Sequence, residues 1–232
     1  YTENDNAKEE LDIGINNEIA RQLTAILTIP TIVNYNLDSL LEHKFLNIAH
    51  SNNNRLWLFS WPENTGGTFK SNFNLIHYKT KSNKPKVVDD FLQEMEGDFA
   101  SNGGLFDSIL QLKSASGSIY LCLGSVSGCG TCCAEIATVL ELTDDSINVN
   151  YNAFSNNREN DGHNTSSAFV LDSRCGSIKK FEFDESTQII SYVYETDDNT
   201  PIVKYENEES KTISAMLKWN GREFIKTVKG NK

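Results

Sequence analysis

Cys122, Cys129, Cys132 and Cys133 put four of the chain's five cysteines inside twelve residues, and Cys175 follows much later. Three chemistries suit such crowding: a structural disulfide, a thiol redox centre and a metal site. Cys129-Gly-Thr-Cys132 matches C-x-x-C, which oxidoreductases place at a helix N-terminus so that the dipole lowers the first thiol's pKa. Here the following run, 135–142, is rich in β-formers, and no βαβ pattern surrounds it. A zinc site takes four ligands, usually as two close pairs. This chain has one close pair, with Cys122, Cys175 or His163 left to complete the set. A disulfide asks for less. Its options are Cys129 with Cys132 or Cys133, Cys122 with one of those two, or Cys175 reaching back from a neighbouring hairpin. Five is odd, so at least one thiol stays free or pairs between molecules. The expectation is a covalent staple with leftover thiols, and no cofactor.

The second unusual segment is Trp57-Leu-Phe-Ser-Trp61, followed by a Gly-rich loop with Gly66, Gly67 and Thr68. Strand alternation puts Trp57, Phe59 and Trp61 on one face. An aromatic face beside a flexible loop can bind a glycan or peptide, and the plainer reading is a core-facing stripe. Trp57, Trp61, Gly66, Gly67 and Thr68 are therefore the candidate ligand-binding residues. Asp161-Gly-His163 is oxygen-rich but lacks the ligand spacing of a calcium loop. Asn164-Thr-Ser166 matches a glycosylation acceptor, as many chance triplets do. No nucleophile elbow, Walker loop, dinucleotide fingerprint or H-E-x-x-H is present, so no catalytic residue is assigned.

These residues must be held by elements. Positions 8–27 predict a helix, with Leu11, Ile15, Ile19, Leu23 and Ile26 as the apolar stripe and Pro30 as its stop. A short second helix is predicted over 38–43. From 45 onward the texture turns to strands, at 45–49, 56–61, 73–79, 107–112, 118–123, 135–142, 146–151, 167–171, 178–183, 189–195, 202–206, 213–219 and 223–227. The run 87–99 is ambiguous between a short helix and irregular structure. Turn-rich links join the strands, and Asn220-Gly221 is the strongest hairpin signal. In strand 118–123, Tyr120 and Cys122 share one face while Ile119, Leu121 and Leu123 share the other.

Even spacing without intervening helices predicts an antiparallel meander. The expected fold is mainly β with a helical N-terminal cap, an α+β arrangement. The cap (1–44) belongs to the same domain as the meander (45–232). So many strands must close or split, giving a barrel, a sandwich or a propeller-like set of blades.

Composition narrows the partners. The formal net charge is −11 over 232 residues, from 32 acidic and 21 basic side chains. That balance repels phosphate backbones and anionic lipid, so nucleic acid is a poor partner. No apolar run is long enough to span a membrane. The chain begins at Tyr1 with a polar stretch, as expected after a removed signal peptide or beside a lipoprotein tether.

One stretch carries a resemblance. Ala49-His-Ser51-Asn-Asn-Asn-Arg55-Leu-Trp-Leu-Phe-Ser60-Trp61, running on to Thr65-Gly-Gly-Thr68, resembles exported β-rich bacterial proteins of the Bacteroidetes type. Those have an Asp-Gly-type turn, a strand ending Ser-Trp-Asp, then Thr-Gly-Gly-Thr. Ile119-Tyr-Leu-Cys-Leu-Gly124 is similar to a later strand of theirs. The chain departs from them with Asn53-Asn54 at the turn and Pro62 for the aspartate. The resemblance implies export and a β-rich fold, and brings no reaction with it.

The expectation is thus an exported bacterial protein of the periplasm or cell surface, acting as a non-catalytic module that binds a cell-envelope protein or a glycan. The alternative is an enzyme using Cys129, Cys132 and Cys133 for redox or metal chemistry.

Overall fold

The computed structural model describes residues 3–35, 37, 46–64, 71–89, 103–115, 118–127, 132–154, 167–196 and 211–228. Among them are one helix, one 3-10 turn and thirteen strands. Helix α1 spans Glu3–Leu27 and ends before Pro30, which opens the 3-10 turn Pro30–Asn34. Proline suits that place because the first turn needs no N–H from it. The predicted helix at 38–43 and strand at 202–206 lie outside the described residues.

Three antiparallel sheets follow one another along the chain. The first has the order β1 (Asn47–His50), β2 (Leu56–Pro62), β3 (Asn72–Lys79) and β4 (Pro85–Asp89). The second runs β5 (Leu105–Leu112), β6 (Ser118–Ser127), β7 (Cys132–Leu142) and the short β8 (Ile147–Asn148). β9 (Ala168–Arg174) also pairs with β7, alongside its first seven residues, while β8 holds the last two. The third runs β10 (Ile178–Asp184), β11 (Ile189–Thr196), β12 (Lys211–Trp219) and β13 (Phe224–Val228). No sheet closes into a barrel among the described residues.

Turn chemistry sets these registers. Asn54 takes the left-handed conformation (φ 52°) between β1 and β2, where Asn is among the few non-glycine residues at ease. Leu56 N–H donates to Ser51 Oγ (3.1 Å), and Ser51 N–H donates to the Leu56 carbonyl (2.9 Å). At the β12–β13 turn Gly221 has φ 100°, and Asn220 Oδ1 accepts the N–H of Arg222 and of Glu223. The ambiguous run 87–99 begins inside β4, and its later residues lie outside the described ones.

Strand alternation builds the layers. From β2, Leu56 and Leu58 join Ile76, Phe106, Tyr120, Cys122, Ile136 and Leu140 in the core between the first and second sheets. Trp57, Phe59 and Trp61 point the other way and pack with Phe73, Leu75, Ala20 and Leu27 under α1. The second sheet repeats the scheme. Its other face, with Ile119, Leu121, Ala137 and Val139, meets Ile190, Tyr192, Leu217, Trp219 and Phe224 of the third sheet. Helix and three sheets are therefore stacked in chain order. Strands buried on both sides, such as β2 and β3, lose the polar-apolar alternation of a half-solvated strand.

Helix α1 docks by a side other than its most apolar one. Asn16, Ala20 and Leu27 are buried, whereas Leu11, Ile15, Ile19 and Ile26 are 63%, 49%, 38% and 52% exposed. The two lines lie one residue apart, about 100° around the helix. Asn16 explains the choice. Its Nδ2 donates to the Glu63 carbonyl (2.7 Å), and its Oδ1 accepts from Trp61 Nε1 (3.0 Å).

Candidate functional site

The cysteines resolve into separate roles. Cys133 and Cys175 form a disulfide, with Cα atoms 4.8 Å apart. β9 lies beside β7 and pairs Cys133 with Ser173, so the turn after β9 carries Cys175 back within reach. Pairing of Cys122 with Cys133 does not occur. Cys122 pairs across to Thr138 and shares the face toward the first sheet, whereas odd-numbered positions of β7 face the third sheet. Cys122 is a fully buried free thiol, and burial pushes its pKa far up, away from the reactive thiolate. Cys129 lies outside the described residues. Cys132 opens a strand, so a helix dipole is not there to activate a thiol pair. Among the described residues no group of three or more His, Cys, Asp or Glu side chains is placed to hold a metal ion.

The aromatic stripe is a core face. Trp57 is 2% and Trp61 4% exposed, beneath α1. The ring of Trp57 stacks on His50 with centroids 4.5 Å apart, and Trp61 stacks on Phe73 at 4.6 Å. The indoles therefore offer no open platform to a sugar, because the helix already occupies their face. Gly66, Gly67 and Thr68 lie outside the described residues.

What α1 leaves open is a groove of about 1130 Å³. One wall is the helix, with Asp12, Ile15, Ile19, Leu23 and Ile26. The facing wall is Leu46, Asn47 and Ile48 at the start of β1. Trp61, Pro62 and Glu63 at the end of β2, and Leu105, Asp107 and Ser125 of the second sheet, complete the lining. The lining mixes apolar side chains with polar ones such as Asn16, Gln22, Ser60 and Asn64. Among the described residues every charged member of the lining is acidic: Asp12, Glu63 and Asp107.

Asp107 reaches the groove through a bulge. The β5–β6 register shifts between Phe106 and Ser108, leaving Asp107 unpaired and exposed. Gly124 permits the close approach, since a Cβ there would lie 2.5 Å from the Leu105 carbonyl oxygen. Asn47 Nδ2 donates to the Phe106 carbonyl (2.9 Å), and Phe106 N–H donates to Ser60 Oγ (3.3 Å), pinning the first sheet to the second beside the groove. Nearby Glu135 is half-buried, and burial followed by the Asp107 charge raises its pKa to about 7.

No known protein family, curated protein or solved structure matches this chain. The site therefore has to be judged on its own chemistry. It presents apolar and polar side chains with carboxylates as the charges, and among the described residues no histidine or lysine stands with its serines. A second cleft, about 460 Å³ between Glu141, Asn148, Tyr151 and Arg222, is polar and carries charges of both signs. Sequence reading missed the groove because it marks the apolar line of α1 without saying which line docks. The one available signal was Asn16-Ala20, a small and polar line directly beside it.

Proposed function

We propose that the protein is a non-catalytic binding module of the bacterial cell envelope, and that the groove beside α1 is its binding surface. One observation carries this reading. Seven of the nine exposed large hydrophobic residues, Leu11, Ile13, Ile15, Ile19, Ile26, Ile29 and Tyr35, lie within 11–35. Three of them, Ile15, Ile19 and Ile26, line the groove; scattered apolar residues need no explanation, whereas such a cluster on one helix marks an interaction site. Covering the exposed half of each of Ile15, Ile19 and Ile26 would contribute on the order of 1 kcal/mol apiece.

Export is supported by the Cys133–Cys175 disulfide, which persists in oxidising compartments. The resemblance of 49–68 to exported bacterial proteins points the same way. We read the three stacked meanders as propeller-like rather than barrel-like. Alkylation of protein recovered without reductant should leave Cys133 and Cys175 unmodified; a reduced pair would argue against export.

The groove is tested with Nile red, a neutral dye that brightens in apolar surroundings. Wild-type protein should enhance its emission saturably, and Ile19→Asp should abolish the enhancement while circular dichroism stays unchanged. Equal enhancement by both proteins would remove the groove from consideration.

A further inference from the structure

The geometry points to the occupant: we propose that the groove receives a cationic amphipathic helix of a partner protein. This rests on the groove being the binding surface, and three observations carry it further. The first is length. Ile15 to Ile26 spans about 16 Å of helix, three turns, so the open wall of α1 matches a helical segment better than a compact ligand. The cavity, about 1130 Å³, is also larger than most small-molecule sites.

The second is spacing. Ile15, Ile19 and Ile26 recur at intervals of four and seven, which makes a ridge along α1, with Leu46 and Ile48 opposite. A ridge of that period accepts the apolar side chains of a second helix at i, i+4 and i+7.

The third is charge. Asp12 lies on the helix, Glu63 just beyond β2 and Asp107 in β5, and among the described residues no lysine, arginine or histidine lines the groove. Lys or Arg residues flanking an apolar face would meet these carboxylates. A second copy of this chain fits worse, because a two-fold pairing through the groove would set acidic rim against acidic rim. The formal net charge of −11 adds to that repulsion.

The probe is a fluorescent Leu/Lys peptide of about four helical turns with one apolar face. Two controls accompany it: the same pattern with Glu for Lys, and a Leu/Lys peptide of equal composition shuffled to have no apolar face. Fluorescence anisotropy should show the Leu/Lys helix binding at least about tenfold more tightly than either control. The exposed-site double variant I15D/I19D should weaken it about tenfold. The variant D12N/E63Q/D107N should retain Nile red enhancement, bind the peptide several-fold less tightly and flatten its salt dependence. Equal binding of the shuffled peptide would reduce the effect to general attraction to an acidic surface, and overturn the proposal. So would equal binding of the Glu peptide, or no peptide binding while Nile red still reports an open groove. Light scattering that shows a wild-type dimer dissociated by I15D/I19D would assign the groove to a second copy instead. Loss of Nile red enhancement in I15D/I19D combined with failure of all peptides defeats only the cationic helix. Enhancement unchanged in that variant defeats the groove itself.

Discussion

His77 is wholly buried in β3, between Trp57 and Val87 across the neighbouring strands, and neither ring nitrogen has a hydrogen-bond partner. Burial, and then the Lys79 charge, lower its pKa from 6.5 to about 4. The ring is neutral at pH 7. Between pH 6.5 and 4 the unfolded chain binds a proton that the folded chain refuses, so this group's contribution is intact above 6.5 and declines as pH falls. The full loss is worth about 3 kcal/mol. Glu135 acts in the opposite sense. Its folded pKa is raised to about 7 from 4.5, so its penalty is greatest above pH 7 and fades on acidification. Urea midpoints measured from pH 7.5 to 4.5 should separate the two. His77→Leu should become more stable as pH falls, and at pH 7.5 should match or exceed wild type, since it removes two unsatisfied polar atoms. Glu135→Gln should lose stability more steeply than wild type over the same range. Parallel profiles for all three proteins would show that neither group is linked to folding. The faces of Tyr120 and Cys122 were legible from alternation alone. The burial of His77 was not, because a strand covered on both faces has no solvent side to which a polar residue can be assigned.

At the scale of elements, β7 is the hinge of the topology, since it pairs with β6 on one edge and with both β8 and β9 on the other. That sharing brings Cys175 to Cys133 across a sequence separation of 42 residues. Closing a loop of that size contributes about 4 kcal/mol in the chain-entropy account. Cys133→Ser with Cys175→Ser should therefore lower unfolding stability by up to about 4 kcal/mol, read as a lower urea midpoint. A midpoint that reductant and the double variant both leave unchanged would show that the strand pairing alone fixes this corner. Sequence could allow the Cys175 pairing but not choose it, because β8 intervenes between the two partners and the meander order predicts β8 as the sole neighbour. β4 escaped for another reason. Pro85-Lys-Val-Val-Asp89 is short and charged, and its pairing depends on a turn in which Asn83 adopts φ 59° and Thr80 N–H donates to the Lys84 carbonyl (3.0 Å). β2 and β3 were read readily, since short runs of Leu, Ile and aromatic residues bounded by turn signals mark a buried strand whichever layer covers it.

At the scale of the molecule, the stack of helix and three sheets makes each layer depend on its neighbour, and among the described residues α1 packs on the first sheet. Its docking uses few large apolar groups, because its apolar line faces the groove instead. The Asn16 clip and the contacts of Ala20 and Leu27 must therefore hold it, together with Lys79 Nζ donating to the Val33 carbonyl (2.9 Å) just beyond the helix. Asn16→Ala removes both halves of the clip. It leaves Trp61 Nε1 and the Glu63 carbonyl without that partner, at a penalty of about 1–3 kcal/mol for each group that stays buried and unpaired. Because the sheets are joined by cores that exclude α1, the effect should be local. Hydrogen exchange should accelerate in α1 and along β2 in the variant, while amides of β11 and β12 keep their wild-type rates. Trp61 emission should shift to the red as its cover loosens, and the groove should lose Nile red, since seven of its eighteen lining residues belong to the helix. Uniform acceleration across all three sheets would mean that the helix is instead part of one cooperative unit with them. A loosely held helix that buries its polar line and displays its apolar one is an arrangement suited to a wall that tightens when a partner helix fills the groove.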